Sequence, residues 1–178
     1  MNEDNALYRE IQYFNQPWLR IIIILPAAAV LASFVFTLSH DTPIGNMGTV
    51  QDDWANWLFI FVVTFTFPVI FFSSKLVIEV TKEGIRYRFY PFHIHWHRLL
   101  WNDIQTADAR VYRPIREYGG WGIRFGRYGK AYNVSGNEGV LVTLTKGETI
   151  MFGSRQMNDF EVAIKMAMKD FHSKPPSV

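Results

Sequence analysis

The chain has 178 residues and no cysteine, which leaves room for about one domain and excludes disulfide scaffolds, thiolate metal sites and cysteine nucleophiles. Its net charge of +2 is unevenly spread, because residues 75–178 hold 16 of the 18 lysines and arginines but only 10 of the 16 acids. The residues before them are acidic overall and contain two long apolar blocks. This distribution disfavours both a single soluble globule and a disordered chain.

The two apolar blocks predict a transmembrane helical hairpin over residues 18–74. The first block, Trp18–Leu38, and the second, Trp54–Ser74, each have 21 residues. A helix of that length rises about 32 Å at about 1.5 Å per residue, enough to cross a hydrocarbon core of about 30 Å. Trp18, Trp54 and Trp57 are expected to lie at the membrane interface. The acidic leader argues against a cleaved signal peptide.

The charges that flank the blocks predict their orientation. The connecting loop, residues 39–53, has no lysine or arginine, whereas Arg9, Arg20 and Lys75 lie at the opposite ends of the helices. By the positive-inside rule, both termini then face the cytoplasm, and the short loop faces outward. Within residues 1–17, apolar side chains recur at helical spacing, which predicts an amphipathic helix on the inner leaflet. The spacing is that of Leu7, Ile11, Phe14 and Trp18.

From residue 75 onward, the apolar pattern has the period of β-strands. A hairpin is predicted to pair strands at about 76–80 and 85–89 through a turn at 81–84. Further strands are predicted over 95–100, 104–111, 121–125, 131–134, 140–145 and 149–153. A final helix starts near Asn158, whose spacing to Glu161 is that of a capping box. Residues 174–178 are expected to form a frayed tail.

This order of elements is typical of a pleckstrin-homology (PH) fold. The sequence therefore predicts two transmembrane α-helices followed by a mainly-β, PH-like split barrel of about seven antiparallel strands over residues 75–173. A C-terminal α-helix caps the barrel, with Phe160 and Ile164 facing the core. On the strand at 121–125, Phe125 is expected to face the core and Arg124 the solvent.

Two stretches rich in glycine, aromatic and basic residues carry a family resemblance. Residues 112–124 read YRPIREYGGWGIR, and residues 129–140 read GKAYNVSGNEGV. With the leader Tyr8–Phe14 and with Trp101–Ile104, they make the chain resemble an uncharacterised bacterial family. Its members are small membrane proteins with two N-terminal helices and a C-terminal bacterial PH-like domain. The resemblance implies this architecture and a location in a bacterial inner membrane, and it implies no particular activity.

The histidines are the strongest candidates for a metal site, but strand spacing opposes one. On a strand, His93 and His97 would lie about 13 Å apart at about 3.3 Å per residue, too far to share one zinc ion with His95. We interpret residues 89–96 as an aromatic and histidine belt near the lipid headgroups. The glycines at 119–122 lack the spacing of a phosphate loop and predict turns. No nucleophile is placed beside a base, so we expect no metal, no cofactor and no enzymatic activity.

The basic residues leave two functions open. In the first, the protein is a membrane-anchored binding or scaffolding module that recruits a protein partner, or a second copy of itself, at the cytoplasmic face. Its expected surface consists of Arg113, Arg116, Tyr118 and Arg124. Arginine and tyrosine together are typical of binding surfaces. In the alternative, anionic lipid headgroups bind a basic face of the barrel. That face consists of Lys82, Arg86, Arg88, Arg127 and Lys130. The positive surplus is too modest to predict nucleic-acid binding.

The orientation of the hairpin can be tested directly. A reporter enzyme fused after Val178 should be active only in the cytoplasm, and a cysteine at position Gly45 should react with a membrane-impermeant thiol reagent from outside. The wild-type chain is the control, because it has no cysteine to label. Reporter activity on the outer side would contradict the predicted orientation.

Overall fold

The computed structural model of the chain describes residues 6–40 and 54–173, which form two compact units. The helical unit contains residues 15–40 and 54–73, and the β unit contains residues 6–14 and 74–173. The predicted external loop beyond His40, with Gly45, and the predicted tail lie outside the described residues.

The helical unit consists of two apolar helices. Helix α1 (Pro17–His40) has 24 residues and helix α2 (Trp54–Ser73) has 20, and each is long and apolar enough to cross a membrane. The helices contact each other through Phe34, whose ring centroid lies 5.5 Å from that of Trp57 and 6.0 Å from that of Phe61. Both predicted helices are therefore present, and Trp57 is buried in the contact between them.

The N-terminal segment is a β-strand, so the predicted amphipathic helix is wrong. Strand β1 (Ala6–Tyr13) pairs antiparallel with strand β2 (Lys75–Thr81). The spacing of four between Leu7 and Ile11 suits a helix, but it also places both residues on one face of a strand. Both are exposed there, and the opposite face of β1 is turned toward the interior.

Polar side chains on the inner face of β1 hold the strand in place. The carboxylate of Glu10 accepts hydrogen bonds from Ser154 Oγ (2.6 Å) and the Arg155 N–H (2.9 Å), and the Gln12 amide donates to the Gly153 carbonyl (2.6 Å). Glu10 and Gln12 are 8% and 0% exposed. Buried polar groups need such partners, and the strand supplies them where a helix on the membrane surface would not.

Four antiparallel strands form the first sheet, in the order β1-β2-β3-β4. Strand β3 (Gly84–Tyr90) follows β2 through the predicted turn, which confirms the hairpin, and β4 (His97–Leu100) lies at the far edge. Leu76 and Ile78 of β2 are fully buried in the core. A short 3-10 turn at Trp101–Asp103 leads to the second sheet.

The second sheet contains five strands in the order β5-β8-β9-β7-β6. Its elements are β5 (Ile104–Val111), the short helix α3 (Pro114–Tyr118), β6 (Gly122–Gly126), β7 (Gly129–Asn133), β8 (Glu138–Leu144) and β9 (Thr149–Gly153). The bounds of β5 and β9 are those predicted. Strand β8 pairs with β5, and the hairpin that follows returns β9 beside β7 in the parallel direction.

These sheets correct the predicted barrel in three respects. The described residues contain nine strands: eight lie within residues 75–173, where about seven were predicted, and β1 joins from the N-terminal side of the helices. One pair of strands is parallel, since β8 and β9 are inserted between β5 and β7. The strands form two separate sheets and do not close into a barrel.

Helix α4 (Met157–Ser173) covers the core by contacting strands of both sheets. Phe160 is fully buried, as predicted, and its ring centroid lies 5.2 Å from that of Tyr8 on β1. The predicted capping box is wrong, because Glu161 accepts a hydrogen bond from the Ala109 N–H (3.0 Å) on β5. The helix is thus tied to both sheets by its apolar face and to β5 by this carboxylate.

Truncation of the buried face of α4 should destabilise the β unit. Phe160→Ala and Ile164→Ala each shorten a side chain that is fully buried, as predicted, and each should lower the free energy of unfolding by about 2–5 kcal/mol. Met166→Ala is the matched control, because Met166 is 63% exposed on the same helix, and it should cost no more than about 0.5 kcal/mol. Urea unfolding of the full chain in detergent micelles measures the difference, and equal effects of all three variants would contradict it.

Candidate functional site

Basic side chains of the β unit converge on a surface cavity of about 350 Å³. The residues that line this arginine cavity are Arg110, Arg113, Arg116, Glu117, Arg127 and Tyr128. Its volume is that of a small ligand site, but its walls are charged rather than apolar. The arrangement suits an anionic group held at the surface more than an apolar molecule.

Close packing between α3 and the turn that follows β6 assembles the cavity. Arg113 and Arg116 come from the beginning and middle of α3, and Arg127 comes from the turn between β6 and β7. A Cβ atom on Gly126 would lie 2.2 Å from the Glu117 carbonyl oxygen, so only glycine allows the two segments to approach this closely. Arg127 is brought beside α3 by this contact.

The glycine run after α3 ends the helix, which confirms the predicted turn. Gly119 has a φ of +75°, a left-handed conformation that glycine adopts without strain. Its N–H donates to the Ile115 carbonyl (3.0 Å), and the Gly120 N–H donates to the Pro114 carbonyl (3.0 Å). These bonds satisfy the carbonyl groups at the end of α3, and they keep α3 to a single short turn.

The arginine cavity has one carboxylate against four guanidinium groups. One oxygen of Glu117 accepts from Arg110 Nη2 (2.8 Å), and the other accepts from the Arg113 N–H (2.7 Å). Across residues 6–40 and 54–173, the side chains of Arg113, Arg116 and Arg127 form no ion pair. The cavity therefore has a surplus of three positive charges that form no ion pair with a carboxylate in the part of the chain that the structure describes.

Tyr118 lies beneath this surface rather than on it. Its side chain is 2% exposed and packs with Tyr112, Ala131 and Met151 in a small core on the second sheet. Burial raises the pKa of Tyr118, and its hydroxyl finds no hydrogen-bond partner among the residues that the structure describes. Tyr118 thus anchors α3 and is not available as the surface residue that the sequence predicted.

Arg124 also lies apart from the arginine cavity. It is exposed, as predicted, but its Nε donates to the Trp121 carbonyl (2.9 Å) instead of lining the cavity. Phe125 is 74% exposed, so the prediction that it faces the core is wrong. The strand β6 is an edge strand, and α3 rather than a second sheet covers part of it.

The five residues predicted to bind lipid headgroups are divided among several environments. Arg86 forms an ion pair with Glu79, and Arg88 Nε donates to the His93 carbonyl (3.1 Å). Lys130 Nζ lies 5.8 Å from the centre of the Phe125 ring. Arg127 is the member of this set that lines the arginine cavity, together with Arg110, which neither predicted set contained. The sequence shows Arg110 and Arg127 in one basic stretch, but only the fold brings both of them to the same cavity.

The histidine segment bends, so the predicted distance between His93 and His97 is wrong. The chain turns after β3, and the two rings lie with their centroids 4.2 Å apart. Tyr87 and Tyr132 also contact the His93 ring. Within the described ranges, no group of three histidine, aspartate or glutamate side chains could hold a metal ion.

The fold and the cavity define a class of protein in which two helices of membrane-spanning length interrupt the sequence of a β-rich unit, and this unit carries a cavity lined by arginines. The chain belongs to the family of unknown function DUF6141, whose model matches residues 1–171. This match agrees with the expected resemblance to an uncharacterised family. No curated protein matches the chain.

Acidification should destabilise the β unit through His93. Burial, and then the neighbouring His97, lower the pKa of His93, and its neutral Nδ1 accepts a hydrogen bond from the Phe89 N–H (3.3 Å). The unfolded chain therefore binds a proton at a higher pH than the folded chain does, so stability is full above about pH 6.5 and falls as the pH is lowered through the folded pKa.

Thermal melting of the full chain in detergent micelles at pH 7.5 and pH 5 measures this loss. His93→Gln should remove part of the pH dependence, whereas the control His95→Gln should retain it, because His95 is exposed. An unchanged pH dependence in His93→Gln would show that other groups cause it.

Proposed function

We propose that this protein is a membrane-anchored binding module, without enzymatic activity, whose arginine cavity takes an anionic group of a protein partner or of a second copy. The observation that carries the proposal is the surplus of three arginines around one cavity. A guanidinium group keeps its charge and donates paired hydrogen bonds that match a carboxylate. A segment rich in aspartate and glutamate is therefore the partner chemistry that fits best.

The chemistry of the cavity supports binding rather than catalysis. Glu117 is the one carboxylate among the lining residues, and both of its oxygens accept hydrogen bonds within the fold. It acts as a structural counter-ion to Arg110, not as a base placed beside a nucleophile. Tyr128 adds a half-exposed aromatic ring to the arginines, a combination that binding surfaces favour.

The pairing of β1 with β2 supports the membrane topology in this proposal. Strand β1 precedes α1 and strand β2 follows α2, yet the two strands lie side by side in one sheet. Because an open sheet is not divided by a bilayer, two helices that both cross the membrane must return the chain to the side from which it left. In this proposal both termini share one side. The flanking lysines and arginines favour the cytoplasm, and the family resemblance favours a bacterial inner membrane.

The PH-like interpretation of the β unit remains part of the proposal. Two sheets with one C-terminal helix against both support it. The anionic-lipid alternative has less support, because four of its five predicted residues lie outside the arginine cavity. Anionic lipid therefore enters as the second probe in the experiment below.

Removal of the three unpaired arginines should weaken the binding of an acidic partner. The variant Arg113→Gln/Arg116→Gln/Arg127→Gln, as full chain in neutral-lipid nanodiscs, should bind a fluorescent octaglutamate peptide about 10- to 100-fold more weakly, at about 0.5–1 kcal/mol per exposed contact. The matched control loses the same charge at exposed residues elsewhere. Its substitutions are Arg98→Gln, Lys146→Gln and Lys169→Gln. Equal losses in both variants would mean that the peptide senses only net charge.

Glu117→Gln tests the same cavity in the opposite direction. The variant keeps an acceptor for the Arg113 N–H but releases Arg110 from its counter-ion, so the octaglutamate peptide should bind several-fold more tightly. Phosphatidylglycerol vesicles are tested in parallel. Loss of vesicle binding without loss of peptide binding in the triple variant would replace the protein partner by anionic lipid.

A further inference from the structure

The connection between β3 and β4 exposes two large apolar side chains. In this β3–β4 loop, residues 91–96, Phe92 is 62% exposed and Ile94 is 76% exposed. The residue between them, His93, is turned inward against Tyr132. Exposed apolar surface that is contiguous marks sites of protein or membrane interaction.

Hydrogen bonds fix the β3–β4 loop from inside. The His93 N–H donates to the Phe89 carbonyl (2.8 Å), and Arg88 Nε donates to the His93 carbonyl (3.1 Å). The ring of Phe92 packs at 6.1 Å from that of Phe89. These contacts hold the backbone of the turn in one conformation, and that conformation directs Phe92 and Ile94 outward.

The loop lies at the end of the first sheet where both apolar helices are attached. Tyr90, the last residue of β3, is opposite Lys75, and Lys75 is opposite Tyr13. Lys75 follows the last residue of α2 by two positions, and Tyr13 precedes the first residue of α1 by four. At about 3.8 Å per residue and about 5 Å between paired strands, chain connectivity keeps Phe92 within about 20 Å of the end of α2.

The row formed by Tyr13, Lys75 and Tyr90 has the composition of a membrane interface. Tyr13 and Tyr90 are 48% and 41% exposed, and Lys75 Nζ lies 6.0 Å from the centre of the Tyr90 ring. The guanidinium of Arg88 lies 5.6 Å from the same ring. Tyrosine beside lysine and arginine is the set of side chains that anchors proteins at the headgroup level.

We propose that Phe92 and Ile94 insert into the headgroup and upper acyl region of the bilayer, with the row of Tyr13, Lys75 and Tyr90 at the headgroup level. The occupant of this surface is the lipid bilayer that α1 and α2 cross, so the inference rests on the membrane anchorage in the proposed function and not on the arginine cavity. The loop gives the β unit a third attachment to the membrane, besides its two covalent connections to the helices. That attachment restricts the directions in which the arginine cavity can face.

Single cysteines carrying a bimane fluorophore test the insertion, because the chain has no cysteine of its own. The full chain is reconstituted in phosphatidylcholine vesicles with or without lipid that has a nitroxide near the headgroup. Ile94→Cys and Phe92→Cys report on the loop, and Phe59→Cys, at a residue 69% exposed on α2, reports on the span. Met166→Cys is the matched aqueous control, since Met166 is 63% exposed on α4.

The nitroxide lipid should quench both loop positions at least three-fold more strongly than Met166→Cys. Quenching at the loop equal to that at Met166→Cys, together with strong quenching at Phe59→Cys, would overturn the loop insertion and leave the membrane anchorage intact. Weak quenching at Phe59→Cys as well would overturn both proposals. A circular dichroism spectrum equal to that of the wild type is required of each variant, so that a folding defect is not read as a change of depth.

Discussion

The buried carboxylate of Glu10 joins the two ends of the β unit. It lies on a strand that comes before both apolar helices, and it accepts hydrogen bonds from Ser154 and Arg155, which come long after them. Removal of such a partner leaves buried donors unsatisfied, at a cost of about 1–3 kcal/mol each. Backbone pairing holds β1 against β2, and the bonds of Glu10 and Gln12 tie the same strand to the end of β9 and the residues that follow it.

The arginine cavity depends on apolar packing beneath and beside α3 rather than on charge. Tyr118 is buried beneath α3, and Gly126 lets the helix lie directly on the turn that carries Arg127. Four like charges within one small surface repel one another, so they stay together only where such packing holds their backbones. Glu117 offsets part of the repulsion through its contact with Arg110.

Much of the β unit could be predicted from the sequence, because apolar and polar residues alternate along its strands and its turns contain glycine. The bounds of β5 and β9 and the hairpin of β2 and β3 follow from that period. The strand β1 could not be predicted, because its interior face carries Glu10 and Gln12, whose burial is intelligible only once their partners are known. The bend at His93 could not be predicted from the sequence for a similar reason, since hydrogen bonds with Phe89 and Arg88 hold it.

The candidate site, like the fold, could be predicted from the sequence only in part. Arg113 and Arg116 could be found from composition, because charged residues on a short connection are exposed. Arg110 and Arg127 lie in the same basic stretch of the sequence, but their position in one cavity with Arg113 and Arg116 could not be predicted, since it depends on α3 and its packing. Composition predicts Tyr118 on the surface, because tyrosine is common in binding surfaces, and only the contact with Tyr112 and Met151 shows that its ring is interior.

The pairing of β1 with β2 also has a consequence for the order in which the chain acquires its structure. Between Tyr13 and Lys75 lie 61 residues, and closing a flexible loop of that length costs about 3–4 kcal/mol in chain entropy, apart from a constant term. Under the proposed topology, the two helices remove most of that freedom, because they cross the bilayer and return the chain close to where it entered. Insertion of the helices would then prepare the pairing of β1 with β2, and the bilayer would act as a template for a sheet that forms outside it.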